Sequence, residues 1–274
     1  MLSGIGPRAV LEPLGIPVRV EPTGVGKNLQ DRYEVSVANR MNFERWDVLK
    51  GPTFSHGDPA YRQWAEKREG LYTSNSAVLA AILKSRPERP LPDLFCFGLV
   101  GFFGGYFPGY SSLAVTKPHY LTWAILKAHT QNRAGEVVLR SADPRQAPLI
   151  NFKYFEEGSD AAGEDLDSVV AGIRLVRKLT AKLKTEGAIA EEEQPGDALQ
   201  SDEELKNYVR ATAWATMLPA PVRLGRARTV ASLAATSACM APKGCALLTV
   251  PSSPRIADFL SPAPSTWSRK RRLT

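Results

Sequence analysis

The sequence predicts an α+β fold in which helices flank an antiparallel sheet. Several short apolar or alternating segments, bounded by proline and glycine, are typical of strands, and they precede the longest helical pattern in the chain. Strands followed by long helices are typical of this fold class. With 274 residues, of which 43% are hydrophobic, the chain is long enough to bury the core of one large or two small domains.

The first predicted element is a short helix over residues 7–14. Pro7 suits the first helical turn, and Gly15 can adopt the left-handed conformation that ends a helix. Residues 15–18 are predicted to continue as a strand. Gly24 and Gly26 then allow the backbone to approach another group closely, in a surface turn or in a binding site.

The strands are predicted from their apolar patterns. Residues 32–41 alternate and place their apolar side chains on one side. Residues 94–103 form an apolar run between a proline and a Gly-Gly pair, which favours a buried strand. Residues 76–83 fit either a strand or a buried helix. The remaining segments are a predicted helical turn at 61–64 and predicted strands at 121–128 and 136–140.

Two helices are predicted in the second half of the chain. Residues 164–183 carry apolar side chains at helical spacing with Arg and Lys on the opposite face. Ser201 and Glu204 have the spacing of a capping box, which predicts the start of a second helix. The apolar positions of the first helix are 166, 169, 170, 173, 176, 179 and 183.

The composition argues against several kinds of protein. No apolar run approaches the roughly 18 residues of a membrane span, and no secretory signal precedes the first glycine motif. We therefore expect no membrane partner and, by default, a cytoplasmic location. Cys96, Cys239 and Cys245 lack the spacing of a metal site, so no metal is expected.

The net charge of +7 belongs to residues 215–274. This segment contains nine Lys or Arg and one acidic residue, whereas the whole chain contains 35 basic and 28 acidic residues. The body of the protein is therefore close to neutral, and nucleic acid is not expected to be its partner. The composition of 215–274 also suits a disordered basic tail, whose run at 268–272 leaves open a nuclear signal or a nucleic-acid contact.

Several segments resemble the glucose–methanol–choline (GMC) family of FAD-dependent alcohol oxidoreductases. They are 3–7 (SGIGP), 14–18 (LGIPV), 24–31 (GVGKNLQD) and 133–144 (RAGEVVLRSADP). These segments occur in the family's order, and together with the helix that follows them they cover most of residues 1–214. The resemblance implies oxidation of a small alcohol, with hydride transfer to the flavin.

The resemblance also implies a division of the chain. Residues 1–40 correspond to a remnant of the FAD-binding domain and 41–214 to the substrate-side domain, while 215–274 depart from the family pattern. The family binds FAD through an earlier Gly-x-Gly-x-x-Gly loop at a helix N-terminus. The chain has no such loop, and residues 101–105 and 24–26 are predicted to be turns. We therefore expect that the front half of the family's protein is missing and that FAD is not retained.

The site residues follow from the same resemblance. Gly24, Asn28 and Asp31 are expected to face the flavin. The family's base is a histidine, whose pKa near neutrality suits proton transfer. It follows Ala213 and Trp214 in the pattern, but Thr216 and Met217 occupy the places of the family's histidines. No catalytic residue is therefore assigned, and the chain is expected to be inactive. The remaining histidines share no motif, which argues against a catalytic role for each; they are His56, His119 and His129.

The end of the family pattern at Trp214 suggests a shift of reading frame. With suitable synonymous codons, one guanine restored after the Trp214 codon gives Trp-Gly-His-His-Ala-Ser, as the family has. Residues 243–254 and 259–268 also resemble the family's ending when read in that frame. We therefore expect that residues 215–274 are translated out of frame. An intact frame without a run of guanines at this point in the nucleotide sequence contradicts the interpretation.

Two other functions stay open at this stage. One is a non-catalytic substrate domain that docks a separate polypeptide carrying the FAD-binding half. The other is a protein that binds nucleic acid through its basic tail, with an affinity that falls steeply with salt.

Overall fold

The computed structural model describes residues 1–22, 24–74 and 77–215. Within these residues the chain forms nine strands and five α-helices, joined by loops and 3₁₀ turns. The helices are α1 (Arg8–Leu11), α2 (Pro59–Lys67), α3 (Leu113–Thr116), α4 (Glu164–Thr185) and α5 (Asp202–Thr212). The strands are β1 (Lys27–Leu29), β2 (Tyr33–Met41), β3 (Ala77–Leu83), β4 (Leu94–Val100), β5 (Tyr120–Lys127), β6 (Gly135–Val138), β7 (Leu149–Asn151), β8 (Ile189–Gln194) and β9 (Trp214–Ala215).

The strands form two antiparallel sheets. The large sheet has the order β3-β4-β5-β2-β8, and β9 also pairs with β2. β8 lies beside residues 38–41 of β2, whereas β9 lies beside residues 33–34, so both strands use the same edge of β2. The small sheet has the order β1-β6-β7. These sheets and their flanking helices confirm the predicted α+β class.

The core lies between one face of the large sheet and α4. Val35, Val37 and Ile125 on the sheet belong to one buried cluster with Val169 and Ile173 on α4. Alternation along β2 therefore directs Glu34 and Ser36 to the opposite face of the sheet. Leu179 shares the helical spacing of the other apolar positions of α4 but is 51% exposed.

The helix boundaries agree with the sequence. Pro7 occupies the N-cap of α1, a 3₁₀ turn continues to Leu14, and Gly15 has the left-handed φ of 69°. α4 begins at the predicted residue, and Ser201 and Glu204 form both hydrogen bonds of the capping box. A side-chain cap thus marks the start of α5, whereas α1 and α4 begin without one.

The predicted strand at 15–18 is wrong. An isolated bridge joins Ile5 to Val20, and residues 16–18 do not belong to a strand of the described sheets. Pro17 has no N–H with which to extend a ladder. The buried-helix alternative for 76–83 is also wrong, because residues 77–83 form β3 and are largely exposed.

The predicted domain division crosses the large sheet. The boundary between 1–40 and 41–214 falls at the last residue of β2, which lies between β5 and β8. The division itself stays a prediction. Residues 216–274 of the predicted tail lie outside the described residues. None of the helices among the described residues is long and apolar enough to cross a membrane.

Candidate active site

Glu34 lies in the middle of the large sheet, on the face opposite α4. Its side chain is fully buried, with 0% exposure. The Oε2 atom accepts a hydrogen bond of 3.2 Å from Nε1 of Trp214, whereas Oε1 is buried without a hydrogen-bond partner among the described residues. A buried, half-satisfied carboxyl group is costly unless it has a further partner, so its second oxygen is a candidate contact for a ligand.

Burial raises the pKa of Glu34 to about 8, although the hydrogen bond from Trp214 acts in the opposite direction. The group is therefore mostly protonated at neutral pH when nothing else lies beside it. A cation placed against Oε1 favours the carboxylate and lowers this pKa. The site is thus suited to bind a positive charge with release of a proton.

Trp214, the hydrogen-bond partner of this carboxyl group, belongs to a cluster of aromatic rings. The ring of Phe103 contacts the rings of Trp214 (centroids 5.8 Å apart), Tyr106 (5.2 Å) and Tyr110 (5.9 Å). Burial raises the pKa of Tyr106, and the nearby charge of Glu34 raises it further. An aromatic face and a carboxylate that lie close together both attract a ligand cation.

Residues 101–119, here called the aromatic loop, supply most of these rings. The Thr122 hydroxyl holds its start by donating to the carbonyl of Gly101 at 2.9 Å. Lys117 holds its end by donating to Glu193 at 2.6 Å. Gly105 allows the close approach to Trp214: it has a φ of 113°, and a Cβ atom there would lie 3.1 Å from the indole.

The residues predicted to face the flavin make contacts within the protein. Asp31 is buried, and its carboxylate accepts from the backbone N–H of Arg32 at 2.8 Å and from the hydroxyl of Tyr154. Burial raises the pKa of Asp31, and these hydrogen bonds oppose the rise. The side-chain oxygen of Asn28 accepts from Gln30 at 3.1 Å.

The glycine turn before β1 also approaches the protein itself. Gly24 is buried in this turn. Gly26 has a φ of 83°, and a Cβ atom there would lie 2.5 Å from the carbonyl oxygen of Val137 on β6. The close approach predicted for this turn is thus made to a strand. The roles of Gly24, Asn28 and Asp31 toward a cofactor stay predictions.

The described residues do not fit an FAD site by themselves. Both carboxylate oxygens of Asp31 are used within the protein, and the space beside Gly26 is filled by Val137. A dinucleotide also requires a glycine loop at a helix N-terminus, which the sequence does not contain. The arrangement around Glu34 instead suits a substrate.

The three histidines lie in different parts of the fold. His56 lies in the loop before α2, with its ring against Tyr61. His119 and His129 lie beyond opposite ends of β5, roughly 30 Å apart at the rise of a strand. These two cannot act on one substrate atom. Thr216 and Met217 lie outside the described residues.

Metal binding is not indicated in the part of the chain that the structure describes. It contains no group of three or more His, Cys, Asp or Glu side chains placed to hold an ion. Cys96 is buried, and burial raises its pKa to about 12, so it remains a thiol at neutral pH.

The sequence did not single out Glu34 or Tyr106. The available signal was a charged residue between Tyr33 and Val35, inside a strand that is otherwise largely apolar. Such a carboxyl group is usually solvent-exposed when the second face of a sheet is open. In the fold it is fully buried and accepts a hydrogen bond from Trp214, which is distant in sequence.

Comparison with known proteins gives the family. The family model described as GMC oxidoreductase matches residues 130–230. An oxygen-dependent choline dehydrogenase of Rhizobium johnstonii is 33% identical over 215 residues, and that of Rhizobium meliloti is equally similar. The chain belongs to the GMC oxidoreductase family. FAD is the cofactor of this family, as the resemblance implied.

The chain aligns with only part of the length of other GMC oxidoreductases. The alignment with the Rhizobium johnstonii protein includes 77% of this chain and 36% of the relative, so the chain spans about a third of its length. Among solved structures, a formate oxidase has a TM-score of 0.60 at 24% identity, with 78% of this chain and 40% of that chain covered. A pyridoxine 4-oxidase has a TM-score of 0.56 at 16% identity, with 81% and 37% covered. These structures share the fold of this GMC chain.

Proposed function

We propose that this chain forms the substrate-side part of an FAD-dependent oxidoreductase that oxidises the CH–OH group of a small alcohol. Family membership and the similarity to choline dehydrogenases support the reaction class. In the proposed reaction the alcohol loses a hydride to the flavin and a proton to a base. Residues 1–40 are proposed to belong to the cofactor-side region and 41–214 to the substrate-side region. The strand β2, which carries Glu34, crosses this boundary and belongs to the large sheet.

The observation that carries a finer assignment is the unpaired Oε1 atom of buried Glu34 beside the rings of Trp214 and Tyr106. A carboxylate and aromatic faces together favour a cationic group over a neutral one. We propose that the substrate is a small alcohol that carries a positive charge. Glu34 binds this charge and orients the alcohol, while the rings exclude water from the contact.

Calorimetric titration of the 274-residue chain with choline tests this assignment. Binding is expected to weaken at least tenfold in Glu34→Gln, because the variant keeps the shape of the site but cannot become negative. Glu191→Gln is the control, since Glu191 is exposed and pairs with Arg40. The neutral isostere 3,3-dimethylbutan-1-ol is expected to bind the unsubstituted chain weakly. Equal binding of both alcohols contradicts the cationic substrate.

We further propose that the 274-residue chain alone neither holds FAD tightly nor turns over. The internal contacts of Asp31 and Gly26 and the sequence without a Gly-x-Gly-x-x-Gly loop support this. Flavin absorbance of the purified chain is the test. A stoichiometric yellow protein contradicts the proposal.

A substrate-side module that acts with a separate FAD-binding polypeptide is the second candidate. The observation in its favour is that the chain spans 36% of its curated relative. A neighbouring reading frame that encodes the other part, and restored alcohol oxidation when both are co-expressed, support it. A role in nucleic-acid binding depends on residues 215–274, nearly all of which lie outside the described residues, and stays a prediction.

A further inference from the structure

A polar cleft of about 380 Å³ lies between the C-terminal half of α4 and the strand β8 with the loop that follows it. Its volume is within the range of small-molecule sites. The side chains of the cleft come from three elements that are distant in sequence. This α4 cleft is lined, among others, by Asn39, Arg177, Thr180, Lys184, Glu192 and Gln200.

The α4 cleft is on the opposite side of the large sheet from the candidate active site. Val35 and Val37 of β2 face α4, and alternation along the strand directs Asn39 to the same side. Glu34 is directed to the other face by the same alternation. A molecule that binds in the α4 cleft is therefore not in contact with Glu34.

Two ion pairs hold the walls of the α4 cleft together. Arg177 of α4 lies 2.6 Å from a carboxylate oxygen of Glu192 on β8, and it also donates to the carbonyl of Leu199 at 2.8 Å. Lys184 of α4 donates to the carboxylate of Asp197 in the loop after β8. Both basic side chains that line the cleft are thus paired with carboxylates within the described residues, which favours a neutral ligand over an ionic one.

Asn39 carries an amide oxygen that has no partner within the protein. The residue is 3% exposed, and its Nδ2 atom lies 3.5 Å from the carbonyl oxygen of Leu121. Its Oδ1 atom accepts no hydrogen bond from the described residues. The same atom is not fully enclosed, and because Asn39 lines the cleft, Oδ1 opens into it. A buried amide oxygen of this kind requires a donor from water or from a ligand.

Two further side chains of the lining also present acceptors. The hydroxyl proton of Thr180 is directed to the carbonyl oxygen of Val176 at 3.0 Å, which leaves the lone pairs of the hydroxyl oxygen available. The side-chain nitrogen of Gln200 donates to the carbonyl of Asp197 at 2.7 Å, which leaves the amide oxygen available. A ligand that complements these oxygens must supply hydrogen-bond donors. No aromatic ring among the described residues lines the cleft, so it offers no stacking surface.

We propose that the α4 cleft binds a small neutral polyol, whose hydroxyl groups donate to the side-chain oxygens of Asn39, Thr180 and Gln200. Hydroxyl groups suit this lining because each one can also accept, for example from a remaining hydrogen of the Lys184 ammonium. The paired charges favour a neutral compound, and the lining without aromatic rings favours an acyclic chain over a sugar ring that stacks. This inference does not depend on the proposed function.

Saturation-transfer NMR of the 274-residue chain with sorbitol tests the proposal. Sorbitol is expected to receive magnetisation from the protein, whereas triethylene glycol dimethyl ether should not, because its ether oxygens accept but it has no O–H donor. A shift in melting temperature would not be decisive, since osmolytes stabilise proteins by exclusion from their surface. Equal transfer to both compounds, or none to sorbitol, means that the cleft holds only water and overturns the proposal. Displacement of sorbitol by choline places the polyol beside Glu34 and also overturns it.

Matched threonine variants locate the site. Thr180→Val keeps the shape of the side chain but removes its oxygen, and it is expected to raise the dissociation constant for sorbitol about fivefold, the usual effect of one neutral hydrogen bond. Thr212→Val is the control: Thr212 lies at the end of α5, outside the cleft lining, and its hydroxyl likewise donates to a carbonyl four residues earlier, that of Tyr208 at 2.7 Å. Asn39→Leu, where urea denaturation shows that it folds, should abolish the transfer. An affinity for sorbitol that Thr180→Val leaves unchanged overturns the proposal.

Discussion

Trp214 and Glu34 are linked twice. They are directly paired across β9 and β2, and the indole Nε1–H donates to Oε2 of Glu34 at 3.2 Å. The backbone pairing fixes the position of the indole, and the indole provides the only hydrogen bond of the carboxyl group among the described residues. The end of α5 is thereby connected to the carboxyl group that we propose to bind substrate.

Removal of the indole donor should raise the pKa of Glu34 above about 8, because burial is then unopposed. Trp214→Phe is also expected to lower the free energy of unfolding by about 1–3 kcal/mol, the usual cost of an unpaired buried polar atom. Carbon-detected NMR titration of the Glu34 carboxyl measures the first effect and urea denaturation the second. Trp46→Phe is the control, since the Trp46 indole donates to the carbonyl of Tyr120 at 2.7 Å. An unchanged Glu34 titration in Trp214→Phe refutes the link.

The raised pKa of Glu34 also predicts how stability depends on pH. Between the ordinary value of 4.5 and about 8 the folded state keeps a proton that the unfolded state loses. Stability from this group is therefore fully present below about 4.5 and falls as pH rises to about 8. Glu34→Gln imitates the protonated side chain at every pH, so its free energy of unfolding should not show this fall between pH 4.5 and about 8. Above pH 8 the variant should therefore be more stable than the unsubstituted chain. Parallel stability–pH curves for the two proteins contradict the assignment.

Local patterns in the sequence were sufficient for most of the fold. The helical period gave α4 within two residues of its end, and the spacing of Ser201 and Glu204 gave the start of α5. The exposure of Leu179 was not predictable, because helical period shows which residues share a face but not how deeply each one is buried.

The candidate site required tertiary information. The one hydrogen-bond partner of the Glu34 side chain among the described residues is Trp214, which lies 180 positions further along the chain. The role of Asp31 toward a cofactor stays a prediction, and in the fold its carboxylate accepts from the hydroxyl of Tyr154. Family resemblance marked the segment that contains these residues, whereas their partners became visible only in the fold.

A buried charge cluster should determine much of the stability at one end of the large sheet. The Nζ atom of Lys127 lies 3.4 Å from Asp93 and 3.8 Å from Asp165, and all three side chains are almost fully buried. Lys127→Met leaves two buried carboxylates without this cation and is expected to cost about 3–5 kcal/mol. The exposed pair of Lys182 and Glu186 provides the control, and Lys182→Met should cost less than about 1 kcal/mol. Urea denaturation measures both, and equal losses contradict the importance of the buried cluster.

The packing of Gly105 against Trp214 should be needed for the shape of the candidate site. Gly105→Ala places a Cβ atom 3.1 Å from the indole, which must then move away from its place beside Glu34. Gly109→Ala is a close control, because Gly109 also has a left-handed φ of 86° but has no atom within 4 Å of the added Cβ. Both variants carry backbone strain at a positive φ, but only Gly105→Ala also displaces the indole, so it should lose more stability than Gly109→Ala. Only Gly105→Ala is expected to weaken choline binding, by about tenfold, in calorimetric titration. If the two variants bind choline equally well, the indole does not shape the site and the aromatic surface beside Glu34 is formed without it.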